Sequence, residues 1–279
     1  MTLSECHASP LLLLCWRGLS YTAEGMTGEE LHTDHIASFD GQKLAVHRLG
    51  TGRPVLLLHG LFSSAAMNWL RFGHAQTLAD AGFEAIMPDL RAHGHSATPH
   101  DPAAFPRDVL VRDCVALVDT LGLEDYDLAG FSLGARTAAR AVMAGLVPRR
   151  LVLAGMGLEG LSGWTRRSAF FLDAIARFDD VRRGDPAFMA VSFMKTMKVD
   201  RVAARLLLES VEDMDAADLA RIPMPTLVLC GADDRDNGSP EALAEALPNA
   251  RLAEIPGTHM SSVTETRMGE EIADFLGKP

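Results

Sequence analysis

The chain has 279 residues, 26 of them basic and 37 acidic, a formal net charge of −11, and 48% hydrophobic residues. A chain of this length forms one large domain or two small ones and buries roughly 75% of its unfolded surface, so it needs no disulfide or metal to fold. The acidic balance argues against nucleic-acid and anionic-membrane partners, both of which favour a basic face, and no apolar run approaches the roughly 18 residues of a membrane span.

The run Leu11–Trp16 has no Lys or Arg before it and is short for a signal-peptide core. Residues 1–32 therefore read as a poorly ordered tail, with Met26 as a second possible start. Cys6 and Cys15 fall in this tail, Cys114 and Cys230 fall in apolar runs, and there is no CxxC. That usage predicts a reducing, cytoplasmic compartment.

From residue 33 the pattern becomes regular. Ile36–Phe39 and Lys43–His47 flank Asp40-Gly41, which predicts a hairpin with a two-residue turn. Pro54–Leu58 is a continuous apolar run, the mark of a strand buried on both faces. A helix is predicted over 65–81, a strand over Glu84–Met87 and an amphipathic helix over 107–121, where Val111, Val115, Val118 and Leu121 share a face. Strand Tyr126–Ala129, helix Leu133–Ala144 and strand Leu151–Ala154 follow. Residues 160–222 read as helical throughout. Alternation resumes with strand Thr226–Cys230, helix Pro240–Leu247, strand Arg251–Ile255 and helix 264–276. Strands that alternate with helices predict a mostly parallel, twisted α/β sheet flanked by helices. Residues 160–222 are then a helical cap inserted between the sixth and seventh core strands of one domain, 33–279.

Gly130-Phe131-Ser132-Leu133-Gly134 matches G-x-S-x-G where a strand becomes a helix. A serine there is forced into a sharp turn and exposed at the sheet edge, and the glycines let neighbouring backbones pass closely. A serine needs a base, and a base needs an acid to orient it. His259 follows the last strand, and Asp233, Asp234 and Asp236 follow the strand before it, so the chain order is Ser, Asp, His. His59-Gly60 ends the first buried strand. The Leu61 N–H, together with that of Leu133, is the predicted oxyanion hole, with Phe62 as the fallback donor.

These motifs, together with Asp89-Leu90-Arg91-Ala92-His93-Gly94-His95-Ser96, resemble the α/β-hydrolase superfamily of esterase- and lipase-like enzymes over about residues 33–278. In that family the loop after the penultimate strand usually reads G-x-x-D with a catalytic Asp, so the resemblance selects Asp234 over Asp233. Some members take the acid from the end of the earlier strand, where Glu159 stands in reserve. The chain departs from the family at Ala92 and Ala135, where glycine is usual. The resemblance implies a cofactor-free serine hydrolase of a carboxylic ester, lactone or thioester with Ser132 as nucleophile, His259 as base and Asp234 as acid, the alternatives being a C–C bond hydrolase or perhydrolase on the same triad or a slow-turnover ligand sensor.

Two other patterns are weaker. Gly155-Met156-Gly157-Leu158-Glu159-Gly160 matches G-x-G-x-x-G, but the stretch leading to Asp179 and Asp180 reads as a helix, not the second strand a nucleotide fold requires. The bland alternative is a flexible Gly-rich hinge entering the cap. His93-Gly94-His95 with His100 is a poor ligand set, so no metal and no cofactor are assigned. The cap holds 10 basic and 10 acidic residues and five phenylalanines, which favours a small, largely apolar substrate as the partner.

Overall fold

The computed structural model describes residues 31–278; the tail assigned to residues 1–32 lies almost wholly outside them. Eight strands form one sheet in the order β1-β2-β4-β3-β5-β6-β7-β8. They are β1 His32–Ala37, β2 Lys43–Leu49, β3 Arg53–Leu58, β4 Phe83–Pro88, β5 Asp127–Phe131, β6 Leu151–Ala154, β7 Thr226–Gly231 and β8 Ala250–Ile255. Only the β1–β2 and β2–β4 pairs are antiparallel. From β4 to β8 all pairs are parallel, and β3, β5, β6 and β7 carry the apolar, buried runs such a sheet requires.

The helices are α1 His74–Asp80, α2 Val109–Leu121, α3 Leu133–Met143, α4 Leu158–Ser162, α5 Trp164–Ala176, α6 Phe188–Thr196, α7 Arg201–Ser210, α8 Pro240–Ala246, α9 His259–Ser262 and α10 Thr266–Leu276. Two buried clusters separate the faces of the sheet. One joins α2, α3 and the helices between β6 and β7, and the other joins α1 and α10. Among the described residues no helix is long and apolar enough to cross a membrane.

Three local expectations change. The hairpin loop is longer than two residues: Ala37 pairs with Lys43, and the Ser38 N–H reaches the Gln42 carbonyl, with Gly41 at φ +83°. The helix expected over 65–81 is interrupted. A π-helical turn spans Ala66–Leu70, and Gly73 at φ +79° separates it from α1. The segment expected to be helical throughout comprises α4–α7 and a 3-10 turn at Ala216–Arg221, joined by irregular turns.

The Gly155–Gly160 run is a packed junction, not a flexible hinge. A Cβ on Gly157 would fall 2.5 Å from the Gly238 backbone, and one on Gly155 would fall 2.6 Å from the Phe131 ring.

The helical insertion is clasped to the body by Arg136 of α3, a residue that periodicity and motif do not single out. It is wholly buried and donates to the carbonyls of Gly160 and Leu161, where the insertion starts, and of Glu212, near its end. Its guanidinium also lies 5.4 Å from the Trp164 ring centroid.

The backbone at the β5–α3 turn leaves no room for side chains. A Cβ on Gly134 would lie 2.1 Å from the Leu58 carbonyl oxygen, and one on Gly130 would lie 2.2 Å from the Gly134 carbonyl carbon. Both clashes are with backbone, which cannot step aside. Gly134→Ala should therefore destabilise the fold by on the order of 3 kcal/mol, read as a lower urea midpoint. An unchanged midpoint would contradict this packing.

Candidate active site

Ser132 sits between β5 and α3 with φ +54° and ψ −114°, a conformation that costs a non-glycine residue of order 1–3 kcal/mol. Its N–H donates to the Ala154 carbonyl of β6 at 2.8 Å, which helps hold the strained turn in place. His259 opens α9, where Thr258 caps the helix and makes a reciprocal capping box with Ser261. Asp234 follows β7, and its Oδ1 accepts the Asp236 N–H at 3.1 Å.

The structure brings all three side chains together in the interior. His259 Nε2 lies 3.0 Å from Ser132 Oγ, and His259 Nδ1 lies 2.8 Å from Asp234 Oδ2. An ionised Asp234 requires the proton on Nδ1, which leaves the Nε2 lone pair to accept the serine O–H. Burial pushes the Asp234 carboxyl up, but the hydrogen bond and charge of His259 and the Asp236 amide more than offset this and hold it below its usual value. The Phe131 ring stacks on the imidazole, with centroids 5.0 Å apart and planes 26° apart. Asp233 and Asp236 are exposed. Glu159 is engaged elsewhere, its Oε2 accepting the Ser239 N–H at 2.8 Å.

The turn after β3 lies against the serine. A Cβ on Gly60 would stand 3.4 Å from the Ser132 Cβ. His59 Nδ1 lies 2.8 Å from the Gly60 carbonyl, and its Nε2 lies 2.9 Å from the Leu90 nitrogen, so the ring donates at Nδ1 and accepts at Nε2. His93 repeats this pattern. Its Nδ1 lies 2.9 Å from the Arg91 carbonyl, and its Nε2 accepts the Phe62 N–H at 2.9 Å. Phe62, the fallback donor, is thus unavailable to a substrate. The amides of Leu61 and Leu133 enter none of the hydrogen bonds recorded among the described residues. Sequence reasoning had no signal for the role of His93, because its acceptor nitrogen meets an amide 31 positions away.

The Asp89–Ser96 loop is held by buried charges. Arg91 is fully buried and pairs with Asp40 at 2.5 Å and Asp113 at 2.6 Å. Ala92, one of the two departures from the family pattern, adopts φ +65°, a conformation that suits glycine. Phe171 of α5 meets Phe62 edge-on at 5.5 Å, which places the helical insertion over the turn that carries Leu61. Arg167, also on α5, donates to the Asp236 carbonyl at 2.7 Å. A 320 Å³ groove along α2, lined by Phe39, Val111 and Val115 among others, includes none of these site residues.

Comparison with known proteins identifies the family. The pattern of the alpha/beta hydrolase family matches residues 55–275, and the chain belongs to that family. It is 26% identical over 277 residues to a non-heme chloroperoxidase of Kitasatospora aureofaciens, covering 86% of this chain and 98% of that protein. A shorter match, 36% identical over 103 residues, joins 37% of the chain to 32% of an epoxide hydrolase of Siraitia grosvenorii. A thermophilic esterase from Thermogutta terrifontis superposes with a TM-score of 0.70 at 25% identity, covering 88% of this chain and 98% of that one.

Burial pushes His93 down to about 3, and the neighbouring His59 acts in the same direction; burial likewise lowers His59. The unfolded chain takes up the His93 proton near 6.5, so this residue costs stability as pH falls from about 6.5 to about 3. Nitrogen-15 NMR of the imidazoles should find both rings as the Nδ1–H tautomer, with no titration of His93 between pH 8 and pH 5. A titration midpoint near 6.5 for His93 would contradict its place in the loop.

Proposed function

We propose that the chain is a cofactor-free serine hydrolase that cleaves a small, largely apolar carboxylic ester, lactone or thioester through an acyl-enzyme. The observation that carries this reading is the unbroken hydrogen-bond chain from Ser132 through His259 to Asp234.

Ser132 Oγ attacks the carbonyl carbon while His259 Nε2 takes its proton. Asp234 accepts the Nδ1–H and stabilises the resulting imidazolium. The oxyanion accepts the N–H groups of Leu61 and Leu133, and losing either contact costs roughly 100- to 1,000-fold in turnover. The tetrahedral intermediate collapses as His259 returns the proton to the leaving alcohol or thiol. Water, deprotonated by the same imidazole, then releases the acid and regenerates Ser132. Phe62 and Phe171 supply apolar surface for the substrate, with Phe131 holding the plane of the base. The free, buried thiols of Cys114 and Cys230 suit a reducing, cytoplasmic setting.

The epoxide hydrolases of this fold use an Asp nucleophile, and Ser132 at that position argues against epoxide opening here. C–C bond hydrolysis is disfavoured because its enzymes commonly carry Asn before the nucleophile, where this chain has Phe131. A second reading, perhydrolysis, draws support from the chloroperoxidase relative, which matches along 98% of its length. Hydrogen peroxide would then replace water in the second half-reaction and leave as the peracid.

Hydrolysis of p-nitrophenyl esters of increasing acyl length tests the main reading. Turnover should favour short or medium chains and fall by on the order of a millionfold in Ser132→Ala. Turnover that survives in Ser132→Ala would overturn the assignment. Peroxide-dependent halogenation by the wild type, with little ester hydrolysis, would shift the function to the second reading.

A further inference from the structure

Away from the serine, the end of β4 and the middle of β2 bring three ligand atoms to one place. His47 on β2, Asp89 just after β4 and His95 in the following turn offer one nitrogen or oxygen each, all within 4.8 Å of one another. His47 Nε2 and His95 Nδ1 each lie 3.5 Å from the same atom, Asp89 Oδ2. That spacing is longer than the usual hydrogen bond of roughly 2.7–3.2 Å. It is close to about 3.4 Å, the edge of a tetrahedron whose corners stand about 2.1 Å from a central zinc-class ion.

We propose that His47, Asp89 and His95 bind one divalent transition-metal ion of the zinc class, with a coordination position left open to solvent.

Two features beyond the cluster itself favour a ligand set. Thr33 Oγ1 lies 2.9 Å from His47 Nδ1. When His47 Nε2 gives its lone pair to a metal, the proton sits on Nδ1 and donates to Thr33, and metal-bound histidines almost always have such an outer partner. Asp89 also keeps acceptor capacity. Its Oδ1 takes the Ala65 N–H and its Oδ2 takes the His95 N–H, each at 2.8 Å, and a carboxylate oxygen has two acceptor sites.

The third ligand closes the site by a side-chain rotation, because the His95 side chain is 78% exposed while those of His47 and Asp89 are buried. Two imidazoles and one carboxylate suit zinc, cobalt, nickel or copper; magnesium and calcium prefer oxygen alone. The ion would also brace the serine site. Asp89 anchors the Ala65 amide, four residues beyond Leu61, so fixing this carboxylate stiffens the loop that presents the Leu61 N–H. The site does not depend on the proposed hydrolase chemistry, and it is tested without a substrate.

The full chain, stripped with a chelator, is titrated with zinc chloride by calorimetry and with cobalt(II) by visible absorption. One saturable ion per chain is expected, with cobalt d–d bands of four- or five-coordinate intensity. His95→Ala should lose this site while the metal-free protein melts at the wild-type temperature. Thr33→Val, which removes only the outer partner, should weaken binding about tenfold. The absence of saturable binding would overturn the proposal. So would binding unchanged in both variants, which would place the ion on other residues of the chain.

Discussion

A backbone contact sets the site. The first turn of α3 is pressed so closely onto the end of β3 that the Leu58 carbonyl oxygen stands where a Gly134 Cβ would be. That contact needs glycine at 134, the close approach of the Gly134 backbone needs glycine at 130, and between them Ser132 adopts its strained conformation. The turn after β3 passes beside the serine, with the Gly60 Cβ position 3.4 Å from the Ser132 Cβ. The remaining parts of the site answer to this position. The parallel register of β5, β6 and β7 sets Asp234 and His259 at the same sheet edge as Ser132. The strain at Ser132 persists because the structure around it holds the turn from several sides.

The turns around Leu61 are held by neutral imidazoles together with the buried Asp89 carboxylate, which accepts the Ala65 N–H. His59 and His93 each donate from one nitrogen and accept a backbone amide at the other. A buried imidazolium could not do this, since both its nitrogens are donors. Burial, which disfavours the charged form, therefore works with the hydrogen bonding. Arg91 is matched by Asp40 and Asp113. Breaking such a buried pair by removing one partner is costly.

Much of this was legible in the sequence because the relevant constraints are local. Apolar runs such as Pro54–Leu58 report burial on both faces, and Gly130 and Gly134 report a close approach that the structure contains. The order Ser132, Asp234, His259 follows from strand order. What was not legible depends on contacts between distant segments. Asp234 and Glu159 both follow a strand; the family pattern selects Asp234, and the geometry pairs it with His259 while Glu159 meets Ser239. His93 and His95 read as one pair, yet Gly94 at φ +53° turns the chain between them. His93 points inward to Phe62, and His95 points outward to share Asp89 with His47. Arg136 gave no periodic signal because its partners are carbonyls from both ends of the insertion.

Covalent trapping tests Ser132 as an activated nucleophile most directly. The protein is treated with a fluorophosphonate ester, and the intact mass and the modified peptide are read by mass spectrometry. One phosphonyl group per chain on Ser132, absent in Ser132→Ala and strongly slowed in His259→Ala, is the predicted result. A folded protein that takes no label, or one labelled at another residue with Ser132 untouched, would contradict the account.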